Sequence, residues 1–166
     1  MVENRSISIN QSVAILCDGL NIKISIHDSF KSTKLMPNFD KIIPKILHGR
    51  SLNRFFYFTE EKNVSILLQK RFSQKYFGSI ITNKKSIDIP LTIKAIQLAS
   101  KVDTIILMSG DKDFVELASH LKTEGVRVEV ASIRKTTAKA LIDICDYYHP
   151  IRKDDCWEHK ENSEER

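Results

Sequence analysis

The sequence predicts a three-layer α/β/α sandwich built on a mainly parallel central sheet. Short apolar or aromatic runs recur at 13–17, 54–58, 78–82, 104–108 and 126–131, and most are bounded by turn residues. Segments with helical spacing lie between most of them, at 60–72, 88–100, 114–121 and 136–144. Strands that alternate with helices in this way pair in parallel and are covered on both faces.

The elements follow in order. Residues 13–17 form an apolar run that ends in Asp18-Gly19, a buried strand with a turn after it. Residues 22–39 mix polar and apolar side chains without a clear period, and 39–47 reads as a helix that Pro44 kinks or ends early. The aromatic run 54–58 is a strand whose rings belong to the core. Val64, Leu67, Leu68 and Phe72 give 60–72 helical spacing, and 78–82 is a third strand before the polar run Asn83-Lys84-Lys85-Ser86. Pro90 suits the first turn of a helix over 88–100. Residues 104–108 are the cleanest strand, closed by Ser109-Gly110-Asp111, and Gly125 stops the helix over 114–121. A flexible N-terminus over 1–12 and an acidic, disordered tail over 151–166 flank one domain over 13–150.

Length and composition bound the function. The 166 residues suffice for one domain with a real core. No stretch is long and apolar enough to cross a bilayer, and 1–12 lacks a signal-peptide pattern. Both point to a soluble, cytoplasmic protein. Cys17, Cys145 and Cys156 are widely spaced with no CxxC pair, which argues against a disulfide framework or a zinc knuckle. Cys17 and Cys145 read as small core residues. The net charge is +5, but residues 1–151 hold 22 basic and 15 acidic side chains, a net +7. A basic body suits a polyanionic partner.

In a parallel sheet the carboxyl ends of the strands share one edge, and ligands bind there near the point where strand order reverses. Four aspartates meet that demand. Asp18 follows the first strand at once, Asp111 and Asp113 follow the strand ending at Met108, and Asp88 opens the helix after the basic loop. Clustered carboxylates raise one another's pKa, and a bound cation relieves the repulsion. Hard oxygen ligands in small number suit Mg²⁺ or Mn²⁺. Asp18 and Asp111 are then direct ligands, with Asp88 and Asp113 direct or through water. Asn21 is placed to orient a water or a phosphate oxygen, and Ser109 to fix the loop or touch substrate. A lesser role stays open for each aspartate, because Asp before a helix is a common N-cap and Asp-Gly a common turn.

Ala14-Ile15-Leu16-Cys17-Asp18-Gly19-Leu20-Asn21 resembles the opening motif of the NYN domain family, the PIN-like relatives that include LabA-like proteins. Lys85-Ser86-Ile87-Asp88-Ile89 resembles its middle motif, and Leu107-Met108-Ser109-Gly110-Asp111-Lys112-Asp113-Phe114 its third. The resemblance spans about residues 13–150. It implies a PIN-like sandwich, an acidic metal site at Asp18, Asp88, Asp111 and Asp113, and a metal-dependent endoribonuclease activity. Asn21 matches the family's asparagine. Two positions depart from the pattern. Ser86 stands where glycine is usual, and Lys94 where a second aspartate is often found. Lys94 is expected to weaken a metal, replace one charge or meet a substrate phosphate, which counts against a two-metal arrangement.

The partner implied is RNA, single-stranded or structured. Lys84, Lys85, Arg134, Lys135 and Lys139 flank the predicted edge, and Lys23, Lys31 and Lys34 follow the first motif. Contacts from such residues to phosphates give salt-sensitive, sequence-independent affinity. The alternative to an enzyme is a non-catalytic RNA-binding or adaptor module on the same fold, which Lys94 motivates. A phosphatase needs a second aspartate two residues after the first, and Leu20 stands there. Pairing of a sheet edge in a homodimer is compatible with the pattern, without a position for it.

Overall fold

Val13, Ala14, Ile15, Leu16 and Cys17 are all fully buried. A strand apolar on both faces belongs in the middle of a covered sheet, and β1 (Ser12–Asp18) takes that place in the computed structural model, which describes residues 11–158. It pairs in parallel with β3 (Ser51–Glu60) on one side and β5 (Thr104–Met108) on the other. The six-stranded sheet runs β4-β3-β1-β5-β6-β7, with β4 at Ser79–Asn83, β6 at Arg127–Ser132 and β7 at Tyr147–Pro150. Every pairing in it is parallel.

Alternate residues of β1 feed two cores. Val13, Ile15 and Cys17 pack with Ile22 and Ile26 of α1 (Gly19–Phe30), with Ile42 and Ile46 of α2 (Phe39–Leu47), and with Phe72 of α3 (Ile66–Lys75). Ala14 and Leu16 face the other way. They meet Leu91 and Ala95 of α4 (Asp88–Leu98), Leu117 and Leu121 of α5 (Val115–Thr123), and Leu141 of α6 (Lys139–Ile144). This two-residue alternation is what a pleated strand between two helical layers produces. The expected α/β/α sandwich is the observed one. Among the described residues no helix is long and apolar enough to cross a membrane.

Chain order sets the position of the site. From β1 the chain moves outward to β3 and β4, then crosses back to β5 and moves outward the other way to β6 and β7. The reversal falls between β1 and β5. The crevice at the carboxyl ends of those two strands is where such sheets bind ligands.

Several elements differ from the sequence reading. Residues 22–39 hold most of α1, which begins directly at Gly19. Its buried stripe is Ile22, Ser25 and Ile26, whereas Leu20 and Ile24 are exposed. Apolar residues on both faces hide the helical period. Pro44 is accommodated inside α2, which continues to Leu47. The strand read at 54–58 extends to Glu60, and the helix after it begins at Ile66, where the Ser65 hydroxyl accepts from the Leu68 amide at 3.1 Å. Tyr147–Pro150 is an edge strand.

The tail is the largest correction. Residues 151–158 are folded: Ile151 is buried, and β8 (Cys156–Glu158) pairs antiparallel with β2 (Leu35–Pro37). Asp155 is buried and meets Lys45 Nζ of α2 at 2.7 Å. A carboxylate held by a lysine on the body anchors a segment whose composition is polar and acidic. Residues 159–166 lie outside the described residues, as does the expected flexible N-terminus up to residue 10, while Ser12 already belongs to β1. Cys17 is buried as expected, and Cys145 is half-buried.

Candidate active site

Asp18 is the last residue of β1 and the N-cap of α1. Its Oδ1 accepts from the Asn21 amide at 3.0 Å, which satisfies one of the free N–H groups at the helix start. Beyond β5 the chain turns through Ser109 and Gly110 to Asp111. Asp111 caps a 3₁₀ turn over Lys112–Phe114, with its Oδ1 accepting from the Asp113 amide at 3.0 Å. The lesser capping role is therefore real for both aspartates. It uses one oxygen of each and leaves the rest of the carboxylate free for other contacts.

Both carboxylates also line one cavity of about 360 Å³, together with Asp88 at the start of α4, Glu60 at the end of β3, Asn21 and Lys85. Leu20, Ile24, Ser86 and Ile87 complete the wall. Residues far apart in sequence meet here because parallel strands end at one edge. Asp18 is only 5% exposed. Burial, reinforced by the charges of Asp88 and Asp111, raises its carboxyl from an ordinary 3.8 to about 6, against the lowering effect of the Asn21 amide. Negative charge is thus concentrated in the cavity at the expense of Asp18.

The structure gathers Asp18, Asp88, Asp111, Asn21 and Lys85, and separates the other expected site residues. Asp113 is exposed and does not line the cavity; its amide serves Asp111. Ser109 is buried, and its hydroxyl accepts from the Asp111 amide at 3.2 Å, so it shapes the loop and stays out of the wall. Lys94 lies 5.3 Å over the Phe56 ring and outside the wall. Its stem follows an aromatic surface, as long cationic side chains do. Asn21 takes a part the sequence does not foretell: its Oδ1 accepts from the Gly110 amide at 2.9 Å.

Glu60 is the wall residue that the sequence pattern does not flag. Helical spacing over 60–72 puts it at a helix start, whereas it ends β3, the strand beside β1. The rule that flags Asp18 flags Glu60 as well once the strand is extended. Its Oε2 lies 2.7 Å from Lys62 Nζ.

The donor set decides what the cavity could hold. Its ionisable oxygens are carboxylates, the ligands of hard cations. Among the described residues no three His, Cys, Asp or Glu side chains form a set that could hold a metal ion by themselves. Mg²⁺ usually takes one or two protein carboxylates and completes its shell with water and phosphate oxygens. A pair drawn from Asp18, Asp88 and Asp111 fits that requirement.

A doubly covered parallel sheet with an acidic cavity at its point of reversal defines the class, an α/β domain whose candidate site lies at the carboxyl ends of its strands. The family is specific: the NYN domain matches residues 12–152, and the chain belongs to that family. A protein of unknown function from Vibrio parahaemolyticus superposes with a TM-score of 0.78 at 21% identity, covering 91% of this chain and 98% of that one. It shares the fold. A putative MAR1 ribonuclease from Leishmania major gives a TM-score of 0.44 at 10% identity, covering 84% of this chain and 78% of that one. A MAR1 ribonuclease from Caenorhabditis elegans gives 0.38 at 18% identity, covering 74% and 64%. At those scores the last two bear no weight. No curated protein matches the chain.

Proposed function

We propose that this chain is a metal-dependent endoribonuclease that hydrolyses phosphodiester bonds at the cavity between β1 and β5. The observation that carries the reading is the joint approach of Asp88 and Asp111 to the buried Asp18, whose carboxyl rises to about 6. Membership of the NYN family supports a nuclease-type, RNA-related role. A bound Mg²⁺ or Mn²⁺ would lower the pKa of a water and neutralise charge on the phosphate.

The chain's own residues do the rest. Asp18 and Asp111 would supply ligand oxygens to the ion, and their capping bonds fix each side chain at the start of a helical turn. Asp88 adds a third carboxylate from across the cavity. Lys85 is the cation of the wall and meets the substrate phosphate. Asn21 has its carbonyl committed to Gly110 and keeps its NH₂ for a water or a phosphate oxygen. Water attacks phosphorus and gives up a proton to solvent, the bond from phosphorus to the leaving ribose oxygen breaks, and that oxygen takes up a proton from solvent.

The test compares the protein with an Asp111→Asn variant on labelled single-stranded RNA with Mn²⁺. The variant keeps the cap and the fold and loses most of the cleavage. Equal cleavage by both overturns the proposal.

A second reading, a non-catalytic RNA-binding module, is favoured by one observation. Lys94 stands where the family often carries a second aspartate, and it lies over the Phe56 ring, outside the wall. Calorimetry separates the two: RNA affinity without any heat of Mn²⁺ binding supports the module.

A further inference from the structure

A second cavity, of about 370 Å³, lies beyond the ends of β6 and β7 on the same edge of the sheet as the acidic one. Its wall includes Arg134 and Lys135, which follow β6, and Arg152 and Lys153, which follow β7. Ser29 and Phe30, from the last turn of α1, close the other side. All four are exposed, so solvent screens much of their mutual repulsion, and together they present a positive surface that favours an anion. None of the four is ion-paired with a described carboxylate. Ser29 contributes to the wall, while its Oγ is itself buried without a hydrogen-bond partner among the described residues. An oxyanion in the cavity would offset the charge of the four cations. Arg134 is held in place from behind, 5.7 Å over the Tyr148 ring.

The two cavities are connected through shared elements of the fold. The loop that carries Arg134 and Lys135 goes on to Thr136 and Thr137, against which Gly110 packs so closely that a Cβ there would lie 3.0 Å from Thr137 Cα. Gly110 is the neighbour of Asp111. Helix α1 also spans both, with Asn21 and Ile24 in the acidic wall and Ser29 in the basic one. At 1.5 Å of rise per residue, Asn21 and Ser29 are separated by about 12 Å along the axis.

We propose that the cavity lined by Ser29, Arg134, Lys135, Arg152 and Lys153 is a phosphate-binding subsite that holds the backbone of one RNA strand a few nucleotides from the bond in the acidic cavity. This rests on the nuclease reading for its substrate. Its consequence is a dependence on substrate length. Strands long enough to fill both cavities are bound through the distal phosphate, and very short ones are not.

The experiment measures binding of short, labelled single-stranded RNA to the full chain by fluorescence anisotropy, in EDTA and across a salt series. An Arg134→Gln/Arg152→Gln variant is expected to bind about tenfold or more weakly, with the steepness of the salt dependence falling by about 0.7 for each phosphate that is no longer neutralised. A Lys70→Gln/Lys101→Gln variant carries the same change in net charge at exposed residues that line neither cavity, and is expected to lose much less. Equal losses in the two double variants, or unchanged affinity in Arg134→Gln/Arg152→Gln, overturn the subsite. So does a nucleoside monophosphate that binds as tightly as the longer strand. Because the readout is binding in EDTA, absence of RNA cleavage by the unmodified protein sinks the nuclease reading alone.

Discussion

The side-chain carbonyl of Asn21 accepts a hydrogen bond from the backbone N–H of Gly110 at 2.9 Å. Because the donor is an amide of the main chain, the acceptor must be Oδ1, which fixes the orientation of the side chain. The bond spans the reversal point of the sheet. On one side it holds the first turn of α1, whose cap is Asp18, and on the other the loop that delivers Asp111.

Asn21→Ala is therefore expected to act on stability and on activity together. The Gly110 amide loses its partner in a half-buried place, a loss of about 1–3 kcal/mol. Urea denaturation checks that figure. Cleavage falls as well, because the spacing of Asp18 and Asp111 is no longer fixed from both sides. A variant with unchanged stability shows that the bond is not formed in solution.

Asp18 strains the fold in exchange for its position. Its carboxyl titrates near 6 in the folded protein and near 3.8 when unconstrained. Between those values the folded state holds the proton more firmly, so stability declines as pH rises from about 4 to about 6. Above that range the charged, buried carboxylate costs up to about 3 kcal/mol. Asp18→Asn keeps an oxygen to cap α1 and removes the charge. It is expected to raise Tm at pH 7 in EDTA, to leave it nearly unchanged at pH 4, and to abolish cleavage. Equal Tm values at pH 7 count against a strained Asp18.

Gly19 follows Asp18 and begins α1, where the Tyr57 ring packs directly against its Cα. A methyl group there collides with the ring. Gly19→Ala is expected to destabilise by about 1–3 kcal/mol, the usual range for overpacking. A cycle with Tyr57→Leu tests the cause, since the penalty shrinks when the ring is gone. An additive cycle assigns the loss elsewhere.

These positions also show how legibility in the sequence is distributed. The frame is readable because β1 and β5 are unbroken apolar runs, and only a strand covered on both faces supports such a pattern. Asp18 and Asp111 are readable because they follow those strands directly. Glu60 is hidden by a boundary: Phe58-Thr59-Glu60 continues β3, while Val64, Leu67, Leu68 and Phe72 suggest one helix over the whole stretch. Asp113 and Lys94 carry the right chemistry at near-correct positions. Side-chain direction separates them from the cavity, and spacing along one chain does not encode it. The tail misleads because Asp155 meets a lysine 110 positions away, a contact that local composition cannot reveal.

A buried ionic cluster around Glu129 lies away from the candidate site. Glu129 on β6 is nearly inaccessible, and Arg50 grips both of its oxygens at 2.7 and 2.8 Å. His149 on β7 adds a contact at 2.7 Å and Arg127 one at 2.9 Å. Burial alone would push the Glu129 carboxyl up; the hydrogen bonds from His149, Arg50 and Arg127 outweigh it and hold the group far below the usual carboxylate range. A depressed carboxyl contributes stability above its ordinary value of 4.5, and that stability drains away as pH falls toward the folded value. Glu129→Gln leaves the Arg50 guanidinium, itself mostly covered, without its counter-charge. It is expected to destabilise by about 3–5 kcal/mol at pH 7. Between about pH 5 and pH 3 its stability should fall less steeply than that of the unmodified protein. Thermal melts across that interval measure the slope, and parallel curves for the two proteins place the acid sensitivity in some other carboxylate.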